Sequence, residues 1–271
     1  MVQLRNLRDA LTEETIAGGA EPLPPLVIKS VGRTLQILEL FDVLQRKATL
    51  MEIAELLNYP QSSTSMLLRS LVIMGYLNYD NSARTYITSP RAALLGKWVS
   101  SALVGDGRIT RVMRKINERT GQAVVLATRN ELMSQYIHVA QATAAVRLFV
   151  VQGTRRSLVR SGTGYALLAG LPDDEIIRIT MRINADGGVG GDLVQHAEVI
   201  AAVHEVREKG YALTMGLVMP ESGMLAMPLS PSLAQEVNEP AVIGIGAAAS
   251  VLAERHAEFL AVLQEENGPQ S

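Results

Sequence analysis

Asn58 and Tyr59 are all that separates two helical segments, and so short a link constrains the fold more than any other feature of the chain. Before the link, Thr49 with Glu52 three positions on is a capping-box pattern, which predicts a helix from about Leu50 to Leu57. After it, Pro60 suits the first turn of a helix that continues to about Met74, and Gly75 stops it. An earlier helix starts near Ser30, with Val31, Leu35, Leu38 and Phe41 spaced as one apolar stripe. Beyond Gly75, the β-forming runs Tyr76–Tyr79 and Thr85–Thr88 flank the turn-rich Asp80-Asn81-Ser82, which predicts a hairpin.

Helix, helix, short turn, helix and hairpin within about 60 residues is the order of a winged helix-turn-helix. On its third helix Leu67, Leu68, Leu71 and Val72 face inward, while Gln61, Ser62, Ser65 and Arg69 share the opposite side. Such a face suits a DNA major groove. Short polar side chains let the backbone approach, hydroxyls and helix N-terminal N–H groups meet phosphate, and Gln and Arg reach base edges. Ser63 and Thr64 extend the hydroxyl run. Arg84 is placed as a wing contact, and Lys29, Arg33, Arg46 and Lys47 as further phosphate contacts. The candidate DNA-binding residues are therefore Lys29, Arg33, Gln61, Ser62, Ser63, Ser65, Arg69 and Arg84. A polar face that is only solvated is the competing reading of the third helix, and the full element order favours DNA.

Bulk properties bound the rest. A length of 271 residues predicts two domains. The formal net charge of -2 gives no global pull toward nucleic acid, so a DNA role rests on a local patch. Val27 to Arg91 holds seven Lys or Arg against five acids, a mildly basic balance. The absence of cysteine excludes disulfides, thiol catalysis and Cys-type zinc sites. The N-terminal stretch lacks the apolar core of a signal peptide, and no run approaches the roughly 18 apolar residues of a membrane span. A soluble, cytoplasmic protein without a membrane role is expected.

Residues 1–26 read as a flexible tail, 27–90 as the winged helix-turn-helix and 91–107 as a linker helix. That linker belongs to a helix running from about Pro90 to Leu103 and carrying the lone Trp98, a candidate dimer contact. Residues 108–271 form a second domain. It opens with a helix over Arg108–Arg119 and three strand candidates, "QAVVLATR", "SQYIHVAQ" and "VRLFVV". "GTGYALLAGL" and "DDEIIRITMRI" read as helices, the latter opening on acids that the helix dipole favours. The glycine-rich "DGGVGGD" precedes a helix from about Leu193 to Lys209. Strand candidates follow at Tyr211–Thr214, Met224–Leu229 and Ala241–Ala247, and a last helix covers Ala253–Glu266. The mixture predicts an α+β domain with a mainly antiparallel sheet.

Enzyme readings fare poorly. "VIGIGAAAS" imitates a dinucleotide fingerprint, but too little chain follows for the second parallel strand it requires. "DGGVGGD" lacks the Gly-Lys-Ser/Thr ending of a phosphate-binding loop. Ser161 and Ser222 lack the Gly-x-Ser-x-Gly setting of a nucleophile. His138, His196, His204 and His256 show no metal-ligand spacing, although His138 has the option of facing a pocket. Neither an enzyme nor a cofactor or metal is expected.

"IKSVGRTLQILELF", "ATLMEIAELLNYPQSSTSMLLRSLVIMGYL" and "ARTYIT" resemble the DNA-binding domain of the IclR family of bacterial transcription regulators. "TGQAVVLATRNELMSQYIHVA", "VRLFVVQGTRRSLVRSGTGYALLAGLPDDEI" and "REKGYALT" resemble that family's GAF-like effector-binding domain. The resemblance covers about Val27 to Leu252. It implies a ligand-responsive regulator that binds a roughly palindromic operator as a homodimer or homotetramer and answers to a small metabolite, often a carboxylic acid. It also implies an effector pocket lined by Leu148, Arg156, Gly162, Thr163, Val218, Met227, Gly244 and Gly246, with Pro228 as the other choice beside Met227. Ser65 and Met66 depart from the family, which usually carries a basic or His-Arg pair there. Glycines where relatives carry polar side chains imply a ligand larger or more apolar than pyruvate, with main-chain N–H groups of Gly162 to Gly164 and Arg156 holding its carboxylate. The alternative is a small-molecule-binding or protein-interaction module whose helix-turn-helix has lost specific DNA binding.

Overall fold

The computed structural model describes residues 27–95, 107–144, 148, 150 and 152–269. The chain divides into two compact units, Met1–Val99 and Ser100–Ser271. The expected tail, residues 1–26, lies outside the described residues.

The first unit runs α1 (Lys29–Leu44), β1 (Ala48–Thr49), α2 (Leu50–Leu56), α3 (Gln61–Ile73), β2 (Leu77–Asp80), β3 (Thr85–Thr88) and α4 (Pro90–Leu94). The capping box forms: Thr49 Oγ1 accepts the Glu52 N–H at 3.3 Å. The link to α3 turns through Asn58 at φ 53°, a left-handed conformation that Asn tolerates better than most residues. β2 and β3 pair Leu77 to Thr88 and Asp80 to Thr85, and β1 adds to β3 in an antiparallel order β1-β3-β2. The core is Ile37, Phe41, Leu44, Ile53, Leu57, Leu68, Leu71 and Leu77. The expected stripe on α1 is corrected, since Val31 and Leu35 are 54% and 55% exposed. Two apolar rows run along α1, and the core takes the row Ile37-Phe41-Leu44 at i, i+4, i+7. Ser89 caps α4 by accepting the Arg91 N–H. The connector helix expected beyond it, Trp98 included, lies outside the described residues.

The second unit runs α5 (Arg108–Thr120), β4 (Ala123–Asn130), β5 (Met133–Ala140), β6 (Arg155–Ser157) and a 3-10 turn (Leu158–Arg160), then α6 (Gly162–Leu168), α7 (Asp173–Ala185) and α8 (His196–Lys209). It continues with β7 (Ala212–Met215), β8 (Ser222–Pro228), α9 (Pro231–Val237), β9 (Ala241–Ala248) and α10 (Ala249–Asn267). Six strands form one sheet in the order β6-β5-β4-β9-β8-β7, every pairing antiparallel. β9 therefore has no parallel neighbour, which disposes of the dinucleotide imitation.

Alternation sorts the strands into two cores. Val124, Leu126, Leu225, Met227, Ile243 and Ile245 pack against Ile109, Met113 and Ile116 of α5 and Leu252, Phe259 and Leu263 of α10. Val125, Ala127, Ala226 and Val242 pack with α6, α7 and α8 through Leu168, Ile176, Ile179, Val199, Val203 and Val206. The result is an α/β/α stack around an antiparallel sheet. Asn267 closes the first core, accepting the Ser230 N–H at 3.0 Å and donating to the Pro228 carbonyl at 2.9 Å.

Elsewhere the elements differ from expectation or lie outside the described residues. The third strand candidate falls mostly outside the described residues, and the described Leu148 and Val150 are not in a strand. The edge strand is β6, whose Arg-Arg-Ser sequence lacks strong β-formers. The helix expected from Leu193 begins at His196. α9 had no counterpart in the sequence reading, and α10 starts four residues before Ala253.

Candidate DNA-reading surface and ligand site

α3 presents a continuous outer face. Gln61, Ser62, Ser65 and Arg69 are exposed, and Met66 stands among them 73% exposed. The hydroxyl run splits in two. Ser63 and Thr64 both donate to the Pro60 carbonyl, at 3.0 and 3.1 Å, and Thr64 is fully buried. Those two hydroxyls secure the first turn, while Ser62 and Ser65 remain outward.

The basic residues around α3 also differ in their engagements. The Arg33 guanidinium lies 4.6 Å from the centre of the Tyr59 ring, and the Tyr59 hydroxyl donates to Gln36. α1 thereby clamps the turn between α2 and α3. Arg46 pairs with Glu52 at 2.5 Å and Lys47 with Asp80 at 3.0 Å, so both cations already hold acids. Lys29 is exposed at the start of α1. Arg84 is exposed in the hairpin turn at φ 53°. That turn is gathered by the Asp80 carboxylate, which accepts from Ser82 Oγ and from the Ser82 and Ala83 N–H groups. These bonds, with Lys47, hold Asp80 far below the usual carboxylate range.

In the second unit the sequence-chosen pocket residues separate into three groups. Gly162, Gly244 and Gly246 meet on the α6 side of the sheet around Met224, while the Thr163 hydroxyl is bonded to Ser134 of β5. A Cβ built on Gly162 would sit 3.1 Å from Met224 Cγ, one on Gly244 2.9 Å from Met224 Sδ, and one on Gly246 3.5 Å from Met224 Cε. Met224 thus lies along a slot walled by the three glycines, with Val150 at its far end. The glycines admit Met224; they do not leave an enlarged void. Leu148 is half-buried.

Met227 is the second group, and a correction. It pairs with Ile243 and is 2% exposed in the core against α5 and α10, on the far side of the sheet from Gly244. Strand alternation puts Met224 and Ala226 on the slot side instead. Pro228, the other choice, is even-numbered, but it lies at the strand's end opposite Val242. His138 pairs with Leu126, whose side chain belongs to that same far core, so it does not face the slot.

The third group is Arg156 with Val218. They line a cleft of about 650 Å³ together with Arg155, Ser157, Arg160 and the glycine loop Gly188–Gly190. Behind the cleft, Ser134 Oγ donates to Thr163 Oγ1 at 2.9 Å, both side chains fully buried. Burial pushes the Tyr136 hydroxyl's pKa up, against the opposing influence of its bond to Thr163 and of the Arg156 charge. The expected carboxylate cradle at Gly162 to Gly164 is reduced, because the Gly164 N–H donates to Ser161 Oγ at 3.1 Å. Ser161, buried and capping α6, is structural in this role. Among the described residues no cluster of His, Cys, Asp and Glu suits a metal, and no helix is long and apolar enough to cross a membrane.

Comparison with known proteins matches both units. Residues 30–81 match the IclR helix-turn-helix domain and residues 107–266 the bacterial transcriptional regulator IclR C-terminal domain. The HTH-type transcriptional regulator BhcR of Paracoccus denitrificans is 27% identical over 205 residues, covering 74% of this chain and 72% of that protein. The HTH-type transcriptional repressor AllR of Escherichia coli is 24% identical over 208 residues, covering 72% of each. The crystal structure of an IclR transcriptional regulator from Alicyclobacillus acidocaldarius shares the fold, with a TM-score of 0.61 at 23% identity, covering 89% of this chain and 97% of that one. With both domains matched in order over most of its length, the chain belongs to the IclR family of bacterial transcriptional regulators.

Proposed function

We propose that this regulator reads its operator through α3, with Gln61, Ser62, Ser65, Met66 and Arg69 entering the major groove and Lys29 and Arg84 meeting phosphates. The exposed outer face of α3 carries the reading, set behind a turn that α1 clamps. Gln61 and Arg69 offer the hydrogen bonds that base edges require, and Met66 offers an apolar surface for a thymine methyl. Arg33 sets the angle of the helix pair through Tyr59, in place of the phosphate role given it by sequence. Ser63 fixes the first turn. The protein acts in the cytoplasm as a homodimer or homotetramer, and two-fold symmetry calls for a roughly palindromic site. A small metabolite held on the α6–α8 side of the second unit favours one arrangement of the assembly over another and so shifts the spacing of the reading heads.

The test is fluorescence anisotropy of the full chain with duplexes selected from a randomised pool, against scrambled duplexes, across a salt series. Selective binding that weakens steeply with salt is expected, because phosphate contacts release counterions. Arg69→Ala lowers affinity for the selected site by about tenfold or more, on the order of 1–3 kcal/mol for a lost bidentate base contact. Replacing the site's thymines by deoxyuridine removes only methyl groups. It weakens the wild type at one base pair and leaves Met66→Ala indifferent there. Absence of selective binding even at low salt would assign the chain to an interaction module.

A further inference from the structure

We infer that Met66, in the middle of the outer face of α3, is an oxidation site through which a hydroperoxide weakens operator reading. The inference rests on the DNA-reading role proposed above for α3 and goes beyond it to regulation. The chain holds 11 methionines and no cysteine, so no thiol competes for an oxidant and the sulfur chemistry falls to thioethers.

Those thioethers differ in how well an oxidant can reach them. Met113 and Met227 are sealed in the core beneath α5 and α10, and Met224 is packed in its slot. Met66 is the most exposed methionine among the described residues, and it shares its face with Ser62 and Arg69 at i−4 and i+3. Met51 of α2, also exposed, walls a hollow of about 320 Å³ with Asn58, Tyr59 and Gln61, the first residue of α3. The ground around the reading face is thus open to a small oxidant. The other exposed methionines belong elsewhere: Met74 follows the last residue of α3, and Met181, Met215 and Met219 belong to the second unit.

The step is a two-electron oxidation. The Met66 sulfur attacks the outer peroxide oxygen, so an S–O bond forms as the O–O bond breaks. Sulfur is oxidised to the sulfoxide and the peroxide is reduced, the proton passing to the departing oxygen to give water or an alcohol. An apolar tip becomes a strong hydrogen-bond acceptor. The thioether suits a thymine methyl, whereas a sulfoxide oxygen beside that methyl and thymine O4 meets no donor. Sulfoxides are reduced enzymatically, so the change is reversible.

The test treats the full chain with hydrogen peroxide at a dose that converts exposed methionines only, as peptide mass spectrometry reports. Anisotropy is then read with the selected duplex. Sulfoxide is expected at Met66 and Met51, with Met113 and Met227 unmodified and the melting temperature retained. Affinity falls about tenfold, the scale of a desolvated polar atom left without a partner, and methionine sulfoxide reductases restore it. Met66→Leu holds its own untreated affinity after peroxide, while Met51→Leu still loses affinity. Met66→Gln, a polar stand-in that peroxide does not alter, binds weakly from the start. An oxidised protein that keeps its affinity, an equal loss in Met66→Leu, a loss that accompanies unfolding, or an unmodified Met66 at a dose that converts Met181 each overturn the inference. Untreated protein is measured first. Without selective binding there, the reading of α3 falls and the oxidation site with it; with it, only the oxidation site is at stake.

Discussion

The two faces of the six-stranded sheet come from the same strands, yet one is sealed and the other is adjustable. Toward α5 and α10, positions 225, 227, 243 and 245 carry Leu, Met, Ile and Ile, all nearly inaccessible. Toward α6, positions 226, 244 and 246 carry Ala, Gly and Gly, and the space they leave is taken by the single flexible side chain of Met224. Thioether chains with three rotatable bonds adapt to irregular gaps at low cost. Large branched residues make a face that holds the unit together. Small residues and one pliant chain make a face that can be reshaped without unfolding it.

The largest effect is expected where the sealed face is opened. Phe259→Ala removes a fully buried ring and costs on the order of 3–5 kcal/mol. Denaturant melts should show this as a fall in midpoint for the second unit's transition. The adjustable face responds more weakly and in a coupled way. Gly244→Ala drives a methyl against Met224 Sδ and Ala226 Cβ, an overpacking expected to cost about 1–3 kcal/mol. In a Met224→Ala background the same change costs less, and the double-mutant cycle reads the difference. Additive effects would mean that Met224 does not fill the slot, and the contrast between the faces would lose its basis.

The smallest effect concerns the outer layer of the adjustable face. Asp173 at the start of α7 accepts from Arg207 and His204 of α8, and these bonds hold its carboxyl below the ordinary value. A depressed folded-state pKa stabilises above the unfolded value and ceases to do so as pH falls through the folded one. Stability should therefore drop on the acid side of the ordinary carboxylate range, and Asp173→Asn should flatten that part of the profile. Thermal melts of the two proteins from pH 6 down to about pH 3 make the comparison.

What the sequence disclosed, it disclosed through local chemistry. The capping box at Thr49, the proline before α3, the stop at Gly75 and the hairpin around Asp80 each act within a few residues, and each is found as expected. What it withheld depended on partners distant in the chain. Val31 and Leu35 have the same helical spacing as the true core row, and only α3 decides which row is buried. Met227 and Met224 differ by an odd number of positions on one strand, and pairing with β9 decides which faces α6. β6 is a strand because β5 offers it an edge, with Ser134 opposite Arg156, and its own residues give little sign of it. The resemblance named Arg156 and Val218 for a ligand site, and both line one cleft in the structure. The structure shows Gly162, Gly244 and Gly246 instead as the walls around Met224. The Ser157 hydroxyl, buried without a hydrogen-bond partner among the described residues, and the exposed pairing of Arg160 with Asp192 are visible only in three dimensions.

Asp80 has a thermodynamic consequence for the wing. Its carboxylate holds the turn from Ser82 to Ala83 and anchors Lys47 as well, so the loop that displays Arg84 is braced from within the hairpin. A flexible loop meeting DNA would surrender conformational freedom on contact, and that loss would be subtracted from its affinity. Here the Asp80 bonds restrain the turn before any duplex arrives. On the reading proposed above, an arginine presented this way would bring its charge to a phosphate with little entropic penalty.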